Sequence, residues 1–487
     1  MGWRVLVLGT AVLLLAPVAG TGWGKSDFDA SLDIGSRREL FVDYHLIGQL
    51  RGTRLKLHAP RPGGVAISYE KPWEDWNSFY TTILKDGGTY RMYYRCGMGG
   101  QSYTCYAESR DGIRWIRPSL GLVEVEGSRE NNLILDSGHQ FCPFIDGRPG
   151  VPAAERYKAN MEARGGLLGY VSSDGIRWKL VREEAIVPRK IRNHFDSQNV
   201  MFWSEAEGRY VLYCRHAVGG RRAVARSTSR DFLNWTDPVL MTYSDTGATV
   251  PSQHLYTNQT HPYFRAPHIY VALPGRFQAG RRVLNEAQTA ALGTDPGFPR
   301  DPDWRVRDIA DGVLLTSRAG TTIYDFTFRE SLVRPGIGLT NWTSRTNYPA
   351  LGVVPTGPAE MSFYVQRDYA QKTARLERMV LRTDGFSSVR APYEGGEIVT
   401  RTLRFSGSEL VINYATSAAG SLRVEIQDSG GNPIAGFAAS DAVRIIGDQI
   451  ERVVTWKGGS DLSRIAGKPV RLRFVMKDAD LYSLQFR

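Results

Sequence analysis

Three acidic residues stand just ahead of short apolar runs. Asp75 lies in Trp73-Glu74-Asp75-Trp76-Asn77-Ser78, Asp196 in Asn193-His194-Phe195-Asp196-Ser197-Gln198-Asn199, and Glu360 in Gly357-Pro358-Ala359-Glu360-Met361-Ser362. Carboxyl groups set opposite each other can divide acid and base work: one gives a proton to a leaving oxygen while the other activates water or attacks directly. Each acid also has a structural alternative. Asp196 could cap a turn, Glu360 could pair with an arginine, Glu74 competes with Asp75 for its role, and Glu155 reads as a partner of Arg156. Arg95, Arg215 and Arg276 each close an apolar run. A guanidinium fork suits carboxylate or sulfate groups. Salt bridges from these arginines to the three acids are the competing use, and they would depress the carboxyl pKa, the opposite of what a general acid needs. Trp76, Tyr256 and His194 could stack on a ring or hydrogen-bond to it.

The elements that must position these side chains announce themselves as a repeat. Tyr106-Ala107-Glu108-Ser109-Arg110-Asp111-Gly112-Ile113-Arg114-Trp115 returns as Tyr170-Val171-Ser172-Ser173-Asp174-Gly175-Ile176-Arg177-Trp178. It returns again, more diverged, as Ala225-Arg226-Ser227-Thr228-Ser229-Arg230-Asp231-Phe232-Leu233-Asn234-Trp235. The aspartates are about 60 residues apart, a repeat length that suits one four-stranded blade. Asp-Gly makes a tight turn, the serine and aspartate side chains bond local amides, and the tryptophan can wedge between sheets. These aspartates are therefore expected to be structural. Short aromatic or β-branched runs such as Thr89-Tyr90-Arg91-Met92-Tyr93-Tyr94 and Arg209-Tyr210-Val211-Leu212-Tyr213 lie between the copies, and long helical periodicity is absent.

The chain is expected to be all-β: a five-bladed β-propeller over residues 38-393 with an insertion near 280-306, followed by a β-sandwich over 396-487. Glu39-Leu40-Phe41-Val42-Asp43 is expected to close the ring by joining the last blade. Residues 1-22 read as a signal peptide, with Arg4 ahead of an apolar run from Val5 to Ala16 and small residues at Val18-Ala19-Gly20. A retained anchor is the alternative. The expected destination is the periplasm or the extracellular space, without stable membrane insertion.

The 61 lysines and arginines against 50 acids give a formal charge of +11. With an export signal and no lysine run, this argues against nucleic acid and leaves an anionic sugar, or simply a basic surface. Four cysteines are too few for a disulfide scaffold. Cys96 and Cys105 could face each other across a hairpin, as a bond or as two buried thiols. No zinc-ligand spacing occurs, so no metal site or cofactor is expected, although His194, His254 or His261 near a central channel leaves a structural ion open.

The pattern resembles the five-bladed propellers of the arabinanase, β-xylosidase and invertase superfamily. More closely, it is similar to exported bacterial glycosyl-hydrolase-like proteins, through Arg38-Glu39-Leu40-Phe41-Val42-Asp43, Arg91-Met92-Tyr93-Tyr94-Arg95, Glu155-Arg156-Tyr157-Lys158-Ala159, Phe195-Asp196-Ser197-Gln198-Asn199, Thr356-Gly357-Pro358-Ala359-Glu360-Met361-Ser362 and Asp478-Ala479-Asp480-Leu481-Tyr482-Ser483. The resemblance implies a site over the central channel, where the innermost strands begin. It makes Asp196, Glu360 and Asp75 the catalytic candidates and Arg95, Arg215, Arg276, His194, Trp76 and Tyr256 the substrate-binding ones. One departure stands out. Arabinanase-type sites place a general-acid glutamate on blade four, where this chain reads His254-Leu255-Tyr256-Thr257-Asn258-Gln259-Thr260-His261. Either Glu360 has taken that role, or the chemistry differs, or catalysis is lost. The reading is a glycoside hydrolase acting on a polysaccharide or oligosaccharide. A non-catalytic carbohydrate-binding propeller is the alternative, and a sialidase-like enzyme ranks below both. Oligomeric state is left open.

Overall fold

The computed structural model describes residues 31–190, 194–292 and 302–487; the expected signal peptide lies outside them. The described chain is almost entirely strand, with one short α-helix at Glu286–Ala291 that Asn285 caps in a capping box. No helix among the described residues is long and apolar enough to cross a membrane.

The repeated turns are built alike. Ser109 Oγ accepts the Gly112 N–H at 2.9 Å, and Asp111 Oδ1 accepts those of Ile113 and Arg114 at 2.8 and 2.9 Å. Ser172 with Asp174 and Ser229 with Asp231 make the same bonds. Gly112 and Gly175 adopt φ of 71° and 74°, and Phe232 holds φ of 72° in the third copy. A non-glycine residue there is strained by about 1 kcal/mol. Burial of the Phe232 ring against Phe144, Tyr210 and Trp235 offsets that strain.

These turns punctuate a series of antiparallel sheets. The first is Phe79–Asp86, Thr89–Met98, Gln101–Ser109 and Leu133–Leu135. In the second, Cys142–Ile145, Tyr157–Ala163 and Gly166–Ser172 lie side by side, and in the third Val200–Ser204, Arg209–Val218, Arg221–Ser229 and Val239–Leu240. The fourth is broken into two three-stranded pieces, His254–Leu255 with Gly275–Gln278 and Ile309–Gly312, and His261–Tyr263 with Ala266–Ala272 and Leu315–Arg318. In the fifth, Tyr348–Pro349 and Val354–Pro355 pair with Glu360–Arg367, followed by Arg375–Arg382 and then Arg61–Ser68. The repeat tryptophans bridge neighbouring sheets: Trp115 meets Tyr364 of the fifth, and Trp178 meets Tyr93 of the first.

The leading strands of all five sheets meet in one buried polar cluster. Gln198 Nε2 donates to Thr82 Oγ1 at 2.7 Å. Gln259 Nε2 donates to Gln198 Oε1 at 2.9 Å and to the Pro349 carbonyl at 3.2 Å. Cys142 Sγ lies 3.9 Å from Thr82 Oγ1. This cluster defines an axis. The end where the leading strands begin is called upper below, the other end lower.

The C-terminal segment forms a ten-stranded sheet around Leu410–Asp428 and Val470–Phe486, with its own core that includes Trp456, whose Nε1 donates to the Val424 carbonyl. This sheet also takes Leu32–Gly35, Arg38–Leu40, Ile47–Arg51, Arg54–Leu57 and Ser387–Ala391. The expectation for Glu39-Leu40-Phe41-Val42-Asp43 is corrected here. Arg38–Leu40 pairs with Val470–Phe486, and the strand that completes the fifth sheet is Arg61–Ser68. The cause is burial on both sides: Phe41 enters the C-terminal core, while Leu40 and Val42 enter the cluster beneath the fourth and fifth sheets. The acids of the same run hold Arg318, with Glu39 Oε2 at 2.6 Å and both Asp43 oxygens at 3.1 Å.

Cys96 and Cys105 are disulfide-bonded across the hairpin of the first sheet, and Cys142 and Cys214 are buried thiols.

Candidate functional site

Strain gathers at the upper end. Each sheet passes into its leading strand near a non-glycine residue at positive φ: Tyr80 (51°), Gln140 (73°), Phe195 (68°), Gln259 (51°) and Asn347 (73°). Such conformations cost on the order of 1 kcal/mol each and persist where the surroundings over-determine them, commonly at functional sites.

Between these positions the strand openings deliver aromatic and cationic side chains. Phe79, Tyr80, Tyr256, Phe277, Tyr348 and Tyr369 form one cluster, with Trp76 and Trp304 half-buried against it. Arg95 follows from the end of the second strand of the first sheet and lies 4.8 Å from the Tyr80 centroid. Arg215 occupies the corresponding place in the third sheet, 5.5 Å from Tyr256, and its Nη1 donates to the Asp196 carbonyl at 2.9 Å. Arg345 donates from Nε to the Tyr256 hydroxyl at 3.1 Å and stacks on Trp304 at 4.2 Å. Burial alone would raise the Tyr256 pKa; the charge and hydrogen bond of Arg345 outweigh it and bring the phenol below its ordinary 10.0.

Asp196 is exposed beside this cluster and lines a depression of about 380 Å³ together with Glu162, His139, Arg164 and Arg189. Glu162 ends the second strand of the second sheet. Its Oε1 accepts Arg189 Nη2 at 2.6 Å, and its Oε2 lies 3.2 Å from His139 Nδ1. Burial would raise its pKa, but the hydrogen bonds from His139 and Arg189 prevail and hold it below 4.5. His194 packs on His216 with centroids 4.2 Å apart. Burial first, then His216 and Arg189, lowers the His194 pKa to about 4, which leaves the ring neutral at physiological pH.

The structure separates the remaining candidates. Glu360 opens the second strand of the fifth sheet, not its leading strand, because Tyr348–Pro349 and Val354–Pro355 occupy the inner position. Antiparallel pairing therefore places Glu360 at the lower end. Gln366 sits opposite Tyr348, and Glu360 is six residues further down the same strand, about 20 Å away. There Glu360 is ion-paired with Arg61 and lies 4.0 Å from Arg378. Expected beside Asp196, it is not part of that site.

Asp75 is at the upper end, but its Oδ1 accepts the Asn77 N–H at 2.8 Å and rests against the backbone of Gly97. Its rival Glu74 is buried and holds Arg117 at 2.9 Å and the Tyr94 hydroxyl at 2.5 Å, a structural ion pair. Arg276 forks onto Asp311 and donates to the Arg329 carbonyl, on the strand face opposite Gly275 and Phe277, which are the residues that touch Tyr348 and Tyr256. It faces away from the cluster. His261 is bonded at both ring nitrogens, to the Gln259 carbonyl and the Val353 N–H. No group of three or more metal-ligating side chains suited to an ion occurs among the described residues.

Glu162, Arg345, Tyr80 and Tyr348 were not anticipated. Arg95 and Arg215 lie late in the second strands of their sheets, and Glu162 holds the corresponding place in the second sheet. A cavity of about 450 Å³ at the lower end is lined mainly by apolar side chains such as Ile83, Phe144, Met201 and Val353, with no acid among the lining residues.

No protein-family model matches the sequence. The uncharacterized protein Rv1502 of Mycobacterium tuberculosis is 30% identical over 149 residues, which is 25% of this chain and 46% of that protein. The uncharacterized protein MT1551 of a second Mycobacterium tuberculosis strain matches to the same extent. The chain spans about half the length of the curated relatives it matches. The solved structures it is similar to are largely glycoside-hydrolase-like. A glycosyl hydrolase from Bacteroides ovatus is 13% identical, with 67% of this chain and 93% of that chain covered and a TM-score of 0.37. A fructofuranosidase from Schwanniomyces occidentalis is 10% identical, with 87% and 96% covered and a TM-score of 0.38. An N-acetylgalactosamine deacetylase from F. plautii, in complex with blood group B trisaccharide, is 12% identical, with 68% and 96% covered and a TM-score of 0.42. At these identities and TM-scores the likeness assigns no reaction to this chain.

Proposed function

We propose that the protein is an exported, glycosidase-like β-propeller of five blades with a C-terminal β-sandwich, and that it takes a saccharide at the upper end of its axis. The observation that carries this reading is the meeting of two carboxylates, Asp196 and Glu162, in one depression beside an aromatic and arginine-rich floor. Aromatic faces suit the apolar faces of sugar rings, and a carboxyl pair suits glycosidic cleavage. Glu162, held ionised by Arg189 and His139, fits the base or nucleophile. Asp196, exposed at the rim, supplies the second carboxyl of the pair. The reaction needs no cofactor.

A non-catalytic saccharide-binding role is the second reading. It draws on the ion pair of Glu162 with Arg189 at 2.6 Å, an interaction that would also serve to brace the rim. Reducing-end release from a panel of oligosaccharides, with dissociation constants measured in parallel, decides between them. A hydrolase loses about 10²–10⁴-fold in kcat in Asp196→Asn and Glu162→Gln while retaining saccharide affinity. A binding protein shows no turnover, and Asp196→Asn changes affinity alone. If no saccharide binds the native protein, both readings fail.

A further inference from the structure

Three guanidinium groups surround a single phenol. Arg222, Arg345 and Arg215 lie 4.9, 5.2 and 5.5 Å from the centroid of Tyr256. Each is attracted by the ring face, but the three repel one another. Arg95 brings a fourth positive charge, over Tyr80, which is close enough to Tyr256 for the two hydroxyls to influence each other's ionisation. Asp196 adjoins this group, its backbone carbonyl accepting Arg215 Nη1 at 2.9 Å. Four cations thus gather around two phenols.

Two further observations bear on what this cluster could accept. The Tyr348 hydroxyl has no hydrogen-bond partner, although Tyr348 is only 1% exposed, and the Nε atoms of Arg215 and Arg222 are likewise buried and unpartnered. Buried polar groups are normally paired, and Tyr348 lies with its centroid 5.3 Å from that of Tyr256, so an unmet hydroxyl stands beside the guanidinium groups. The positive potential also reaches neighbouring groups. His254 lies beside Arg222, with Nδ1 3.3 Å from the Arg222 backbone nitrogen, and burial followed by Arg222, Arg221 and Arg215 lowers its pKa. Arginine cannot relieve the repulsion by losing its proton. An oxyanion from solution can.

We propose that this cluster binds the anionic group of an acidic saccharide, a uronate carboxylate or a sulfate ester; the proposal rests on the saccharide reading above. Both groups present paired oxygens to a guanidinium fork and displace no existing ion pair of Arg222 or Arg345. The anion would lie beside the depression that holds Asp196 and Glu162.

The test uses the full mature chain, in its native form and as Arg222→Gln and Arg345→Gln, with folding checked by circular dichroism. Titration calorimetry compares trigalacturonic acid, its methyl ester and a sulfated galactose oligosaccharide. The native protein should prefer the acid or the sulfate over the ester by about tenfold or more, as charge-assisted pairing requires, and the tighter of the two identifies the natural group. That preference should collapse toward one in both variants. Equal affinity for acid and ester in the native protein, or a preference untouched in both variants, overturns the proposal. Inorganic sulfate gives an independent readout: at low millimolar concentration, with ionic strength held constant by chloride, it should raise the Tm of the native protein and not that of Arg222→Gln. Sulfate protection that survives in Arg222→Gln also overturns the site. If sulfate protects through Arg222 while no saccharide binds, the anion site stands and the saccharide reading falls.

Discussion

Asp325 offers the sharpest stability test. It lies against Asp43 at the junction between the fourth sheet and the N-terminal segment, and its backbone pairs with Thr316. Burial raises its pKa most, the negative charge of Asp43 adds to this, and Arg318 only partly opposes them, so the carboxyl is pushed up to about 7 from an ordinary 3.8. A carboxyl with a raised folded pKa binds its proton more tightly when folded. Its contribution to stability is complete below about pH 4 and is lost as the pH climbs through 7. A difference of about 3 pH units, at 1.36 kcal/mol per unit, makes the full loss at most about 4 kcal/mol. Between about pH 5 and pH 8 the expected loss is about 2 to 3 kcal/mol. Asp325→Asn removes the titration and supplies an amide that can donate to Asp43. The stability gap between Asp325→Asn and the native protein, read from urea unfolding by tryptophan fluorescence, should therefore widen in the variant's favour by about 2 to 3 kcal/mol over that range. A gap constant to within about 0.5 kcal/mol, or a variant less stable at about pH 8, refutes the reasoning.

Two further outcomes follow from the placement of other acids. Glu360→Gln, at the lower end with Arg61, should leave any saccharide turnover within about twofold, whereas Glu162→Gln should lower it by about 10²-fold or more; comparable losses in the two would mean that the site has been placed at the wrong end. Asp174→Ala deletes an acceptor for the Ile176 and Arg177 amides at 2.8 and 2.7 Å and should cost about 1–2 kcal/mol in thermal or urea unfolding, without changing saccharide affinity.

The repeated turns were legible because their chemistry is local. A serine, an aspartate and a positive-φ residue fix each turn within a few positions, and the tryptophan that follows has one wide apolar face to hide. The place of Asp196 ahead of a leading strand was legible for a similar reason, since the apolar run 200–203 begins four residues after it. Glu360 misled because Met361-Ser362-Phe363-Tyr364-Val365 is the more strand-like run, while the inner segment of that sheet holds Pro349, Gly352 and Pro355 and reads as loop. Glu162 was passed over because it precedes a hairpin, at Ala163-Arg164-Gly165-Gly166, instead of opening a strand. The N-terminal strands show a different limit. Leu40, Phe41 and Val42 are all buried, and a run buried on both faces carries no alternation to say which sheet receives it.

The fifth sheet takes its outermost strand from Arg61–Ser68, where Ser68 pairs with Arg375. That edge cannot be sealed until roughly three hundred intervening residues have been made and brought round, a loop-closure cost of about 5 kcal/mol. Sealing is therefore expected late in folding, with the edge of Arg375–Arg382 unprotected until then and able to pair with other chains. A chain that emerges N-terminus first would keep Arg61–Ser68 waiting throughout synthesis, which makes this strand the natural place to look for dependence on chaperones and for misassembly in truncated forms.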